Sequence, residues 1–115
     1  MQLKQLELLD QIRALISTPE TWCKDAAARN AKGKPVFFNS DHAVRWCVAG
    51  ARCRVAVVGP TTDGGPLWAR VQEKAQAIYR LHPTEVNDDL GHAAVLALLD
   101  AVRADLVADD GEVAP

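Results

Sequence analysis

Apolar residues recur at helical spacing in several stretches of the chain. Leu8, Leu9, Ile12, Leu15 and Ile16 fall at i, i+1, i+4, i+7 and i+8, which predicts one amphipathic helix over residues 2–16, stopped by Ser17, Thr18 and Pro19. Val36, Phe37 and Phe38 are the strongest strand signal. Asn30, Ala31, Lys32 and Gly33 before them have the spacing of a type I turn closed by a left-handed glycine, so residues 23–38 are expected to hold a short β-hairpin. The alanines at 26–28 favour a helical turn instead.

A second helix is expected from a cap at Ser40 or Asp41 to about Val58. On it Arg45, Ala49, Arg52 and Ala56 form a narrow outer strip, and Val44, Trp46, Cys47, Val48, Gly50, Ala51, Cys53, Val55, Val57 and Val58 cover nearly all the rest, which makes it central. Gly50 lowers helix propensity there, and close approach of a neighbouring element is the natural reason for it. Arg54 points inward, so either the helix frays before it or the guanidinium meets a carboxylate.

Residues 59–66, rich in Gly, Pro and Thr, read as a loop with Pro66 in the first turn of a third helix. Leu67, Val71, Ala75 and Ile78 form the third helix's stripe, and His82 and Pro83 stop it. The last helix, from about Asp89 to Val107, carries the cleanest periodicity, Val95, Leu98, Leu99, Val102 and Leu106. The expected fold is mainly α (α+β): four helices and one short β-hairpin in a compact single domain over 1–107, with a flexible acidic tail over 108–115.

Composition is that of an ordinary globular chain. Its 115 residues are 49% apolar and 24% charged, enough for one core that buries roughly two thirds of the unfolded surface. Lys4, Glu7 and Asp10 interrupt the first helix, so it reads neither as a secretory signal nor as a membrane span, and a cytoplasmic location is expected. Cys23, Cys47 and Cys53 form no CxxC pair and are odd in number, which suggests packed free thiols rather than a disulfide framework or a zinc knuckle.

Net charge is −2, unevenly spread: residues 1–58 hold nine Lys/Arg against five Asp/Glu, and residues 59–115 hold four against ten. The halves are therefore expected to attract each other. Lys24, Arg29, Lys32, Lys34, Arg45, Arg52 and Arg54 form a basic stretch that could face a polyanion, but the pI of 5.9 and the lack of a recognition motif favour a solvated face over nucleic-acid binding.

Trp22, Gly33, the run Trp46-Cys47-x-x-Gly50-Ala51 and the pair Asn87-Asp88 ahead of a final apolar helix resemble, over about residues 8–106, a small bacterial and phage family classed as a domain of unknown function. The resemblance implies a compact single domain with Trp46, Cys47, Gly50, Ala51 and Asn87 in structural roles. It carries over no catalytic residue.

The densest polar cluster is Asn87, Asp88, Asp89 and His92. Asp88 or Asp89 shares a helical face with His92, a spacing at which oxygen and imidazole ligands bind divalent metals, with His42 or His82 available to complete a set. Helix capping by residues 87–89 is the simpler reading. Cys47 and Cys53, in a helix expected to be buried, are poor nucleophiles, and Cys23 is the more exposable thiol. Gly64 and Gly65 lack the phosphate-loop pattern.

With no convergent catalytic set, the sequence favours a non-enzymatic module, without a cofactor, that docks a protein partner through Arg29, Lys32, Lys34, Arg45 and Arg52. The phage association that the resemblance implies suggests an accessory protein inhibiting a host nuclease defence. Two alternatives are a metal-binding protein or metal-dependent hydrolase using Asp88, Asp89 and His92, and a nucleic-acid binder using the basic stretch.

Overall fold

A computed structural model of the protein describes residues 2–58 and 65–113. In chain order the elements are α1 (Gln2–Leu15), a 3-10 turn (Pro19–Thr21), β1 (Ala28–Arg29), β2 (Pro35–Val36), β3 (Arg45–Trp46), α2 (Val48–Val58), α3 (Gly65–Tyr79), α4 (Pro83–Glu85), a π turn (Val86–Leu90) and α5 (His92–Val113). The fold is mainly helical, as the periodicity predicts, with five helices among the described residues in place of four. Residues 59–64 of the predicted loop, and 114 and 115 of the predicted tail, lie outside the described residues.

The core is a sandwich of helix stripes. Leu8, Leu9 and Ile12 from α1, with Ile16 just past its end, meet Leu98, Leu99, Val102 and Leu106 from α5, and Val55 of α2 with Leu67, Val71 and Ala75 of α3 close the remaining sides. Each large aliphatic side chain removed from water there contributes roughly 1.5–3 kcal/mol. Ile78, expected in the α3 stripe, is 49% exposed instead; Tyr79 turns inward and its hydroxyl reaches the Ala94 carbonyl at 3.5 Å.

Ion pairs fasten α5 to its neighbours. Arg13 on α1 meets Asp100 at 2.6 Å and Asp10 meets Arg103 at 2.9 Å, while on the other side Lys74 and Arg70 of α3 meet Asp105 and Asp109 at 2.6 and 2.8 Å. The last of these lies beyond the predicted helix end at Val107. Its pairing with α3 accompanies a helix that runs on to Val113 through residues expected to form the tail.

The predicted hairpin is present and belongs to a larger unit. β1 pairs antiparallel with β2 and with β3, giving a three-stranded sheet in the order β2-β1-β3. At the turn the Gly33 amide donates to the Asn30 carbonyl at 2.9 Å, Gly33 is left-handed (φ 82°), and Asn30 Oδ1 accepts the amides of Lys32 and Lys34. This is the turn that the Asn-x-x-Gly spacing predicts.

The second helix is shorter than its apolar pattern suggests. Ser40 caps no helix; it closes a turn, its Oγ accepting the His42 amide, and Arg45 and Trp46 are extended. The backbone of Trp46 is drawn into the sheet, paired with Ala28 on one side and bridged to Trp22 on the other, so α2 begins only at Val48 and Val44 is 41% exposed. Gly50 thus sits in the first turn of α2, where a Cβ would lie 1.9 Å from the Ala27 carbonyl oxygen. The close approach expected from its position is that of the bend leading into β1.

Candidate functional site

The polar cluster at residues 87–92 is built around the side chain of Asn87, which is fully buried. Its Oδ1 accepts the Trp22 indole N–H at 2.8 Å and the Val48 amide at 3.0 Å; its Nδ2 donates to the Cys23 carbonyl at 3.1 Å and to Asp88 Oδ1 at 2.8 Å. All four hydrogen-bonding positions of the amide are therefore occupied. The bond to Val48 satisfies the first orphan N–H of α2, and the Cys47 Sγ accepts the Gly50 amide at 3.2 Å one step further in. Asn87 does cap a helix, but it is α2, distant in sequence, and not the helix that follows it.

The chain reaches this geometry through the π turn. His82 opens α4 with a capping box: its Nδ1 accepts the Thr84 amide while Glu85 accepts the His82 amide. The backbone then widens, the Gly91 amide donating to the Val86 carbonyl at 3.1 Å, and Gly91 takes φ 99°, ψ −176°, a region open to glycine alone. Because the π turn and Gly91 separate them from α5, Asp88 and Asp89 do not share a helical face with His92 as the spacing suggests.

Each member of the candidate metal set has a structural partner or stands apart. Asp88 Oδ1 accepts from Asn87 and from the amide of Asp25, a residue held at φ 63°. His92 Nε2 lies 2.7 Å from the Ile16 carbonyl, which can only accept, so that nitrogen carries the proton; the ring also packs on Trp22 with centroids 5.2 Å apart. Asp89 is exposed. Among the described residues no three His, Cys, Asp or Glu side chains gather as a metal-holding group.

The cysteines are equally enclosed. Cys23, expected to be the exposable thiol, is only 5% exposed because the Trp22–Trp46 bridge carries it inward. Burial, with a smaller contribution from the neighbouring Cys47, pushes its pKa up to about 11. Cys47 is raised as well, again by burial, against the opposing pull of the Gly50 and Ala49 amides. Neither thiol is an activated nucleophile.

The basic stretch divides into bound and free cations. Arg29 braces the hairpin, donating to the carbonyls of Gly33 at 2.8 Å and Lys24 at 3.1 Å. Arg54 meets neither a carboxylate nor a frayed end: it donates to the Ser40 carbonyl at 3.3 Å and covers the Trp46 ring. Arg52 leaves the predicted patch, for it lies over Trp68 at 5.1 Å beside Leu8, Ile12 and Leu67 on the helical side. Lys32, Lys34 and Arg45 remain exposed on the sheet and form no ion pair among the described residues.

What the sequence reading missed is the apolar companion of these cations. Phe37, in the connection between β2 and β3, is 69% exposed, and Val44 flanks an open groove that Asn30, Ala31, Lys32, Asp41 and His42 complete. Strand periodicity carries a signal for it: Val36 and Phe38 turn toward the core, so Phe37 between them must face out.

No helix of the described residues is long and apolar enough to cross a membrane. Comparison with curated proteins and with solved structures finds no match for the chain. The model of a family of unknown function (DUF6197) matches residues 1–105, nearly the whole sequence, and the chain belongs to that family.

Proposed function

We propose that the protein is a non-enzymatic docking module whose sheet face binds an acidic surface of a protein partner. The observation that supports this most is the exposure of Phe37, 69%, beside the sheet that also displays Lys32, Lys34 and Arg45 without ion-pair partners among the described residues. An accessible aromatic in a segment that also exposes cations has the composition of an interface anchor: the ring supplies desolvated area and the charges steer approach. Asp88 and His92, by contrast, are engaged in hydrogen bonds to backbone and amide, an arrangement suited to holding chain segments together.

An accessory protein of a phage or mobile element, inhibiting a host nuclease defence, is the finer reading. The sign of the face constrains it. A nuclease groove that binds nucleic acid is itself basic, so such an inhibitor would engage carboxylates elsewhere on the enzyme.

The test is site-specific photocrosslinking in the native host, with the probe at position 37 and, as control, at exposed Gln76 on α3. The reading requires one protein captured from position 37 only, whose binding to the purified chain weakens with salt and is lost in K32E/K34E/R45E. Equal capture from both positions, or binding indifferent to the charge reversal, overturns it.

A further inference from the structure

Two of the three thiols each follow a residue of the bridge that joins Trp22 to Trp46. The Cys23 amide donates to the Trp46 carbonyl at 3.0 Å, and Trp22 and Trp46 form a parallel bridge. Side chains of bridged residues lie on one face and those of the next residues on the other, so Cys23 and Cys47, each one position past the bridge, project together on the opposite face. Both are 5% exposed and neither is in a disulfide. Adjacent strands hold backbones about 4.8 Å apart, inside the range that a disulfide spans.

We infer that Cys23 and Cys47 form a reversible disulfide when the protein meets a peroxide, closing a covalent loop around the whole three-stranded sheet. Hydrogen peroxide is scarcely larger than water and enters where both residues keep 5% of their surface exposed. One thiolate attacks the peroxide O–O bond, forming a sulfenic acid and releasing water once the departing hydroxide takes up the proton lost from that thiol. The second sulfur then displaces the hydroxyl group from the first: the S–S bond forms, the S–O bond breaks, and a second water leaves. Two thiols are oxidised and one peroxide is reduced.

Geometry sets the consequence. The Cys47 sulfur now accepts the Gly50 amide, and Cys23 donates to the Ala26 carbonyl at 3.5 Å, so bonding to each other weakens both contacts while tethering the segment before β1 to the start of α2. Every residue of β1, β2 and β3 lies inside the closed loop. A loop of that length restricts the unfolded sheet, so the oxidised form resists unfolding. Burial holds both thiols protonated at neutral pH, which makes the reaction slow and steeply faster in alkali.

The test is peptide mapping of the full chain after peroxide treatment and alkylation in denaturant. Trypsin places the cysteines on separate peptides, 14–24, 46–52 and 53–54. The expected product joins 14–24 to 46–52 with a mass lower by two hydrogens, leaves 53–54 alkylated, and reverts to three free thiols with dithiothreitol. It disappears in C47S, while C53S retains it. A crosslink through 53–54, or conversion of 14–24 and 46–52 to sulfinic acids without joining, overturns the inference.

Discussion

The indole nitrogen of Trp22 donates to the side-chain oxygen of Asn87 at 2.8 Å, linking the segment that enters the sheet to the π turn that precedes the longest helix. The same oxygen caps α2 through Val48. One amide thus holds three chain segments, and most of what the sequence offers as a chemical site is engaged in that junction.

Replacing Asn87 should be severe. Asn87→Ala leaves the Val48 amide and the Cys23 carbonyl without a partner in the interior, and buried groups so stranded cost about 1–3 kcal/mol each. We expect a loss of about 3 kcal/mol or more in urea unfolding. Asn87→Asp should lose a comparable amount, because it sets an acceptor against the Cys23 carbonyl. A loss below about 1 kcal/mol in either variant would contradict the junction.

Gly50→Ala should reverse the usual helix trend. In an exposed helix interior the change stabilises by about 1 kcal/mol, yet here the new methyl lies 1.9 Å from the Ala27 oxygen, a backbone atom that cannot move without opening the sheet from α2. Overpacking of this kind costs typically about 1–3 kcal/mol, and more where backbone must shift. Thermal unfolding should show a lower midpoint, and a midpoint equal to or above the parent's would refute the contact.

Alkali should destabilise the fold through its buried thiols. The folded pKa of Cys23, about 11, is above the value of about 8.5 for an unfolded thiol, so the unfolded state releases its proton first. Stability is full below the unfolded value and falls as pH climbs toward 11. Cys23→Ser should flatten that slope. In the parent at pH 8, iodoacetamide should modify the partly exposed Cys53 first.

The ion pairs flanking α5 should matter little. The Arg13 guanidinium is raised above its ordinary value chiefly by its hydrogen bond to Asp100, with burial opposing and the charges of Asp100 and Asp10 adding. Both partners are substantially solvated, however, and such pairs are worth about 0–1 kcal/mol. A double-mutant cycle on Arg13 and Asp100 should give a coupling in that range that shrinks with added salt. A coupling of several kcal/mol would show the pair to be shielded from water.

The sequence makes the helices legible because their stripes repeat at helical spacing and nothing nearby competes for the backbone. It also exposes the hairpin turn, where Asn30 and Gly33 satisfy local geometry on their own, and the tight approach at Gly50. The start of α2 is illegible for the opposite reason: residues 40–47 have a helical apolar pattern, but Trp46 finds strand partners at Ala28 and Trp22, far off in sequence. The cluster at 87–92 misleads in the same way. Its residue types suit both a local cap and a metal, whereas their partners, Trp22, Cys23, Asp25, Val48 and Ile16, are set by the tertiary fold.

Hydrogen exchange of the Trp22 indole proton, followed by NMR in the native protein, tests most directly whether the Asn87 junction is part of the rigid framework. If it is, that proton exchanges only through global unfolding, with the same protection as the core amides of α5, and loses its protection in Asn87→Ala. Exchange of the Trp22 indole at the rate of an open indole, while the α5 amides stay protected, would mean that the junction opens freely and that the residues around it are available for other work.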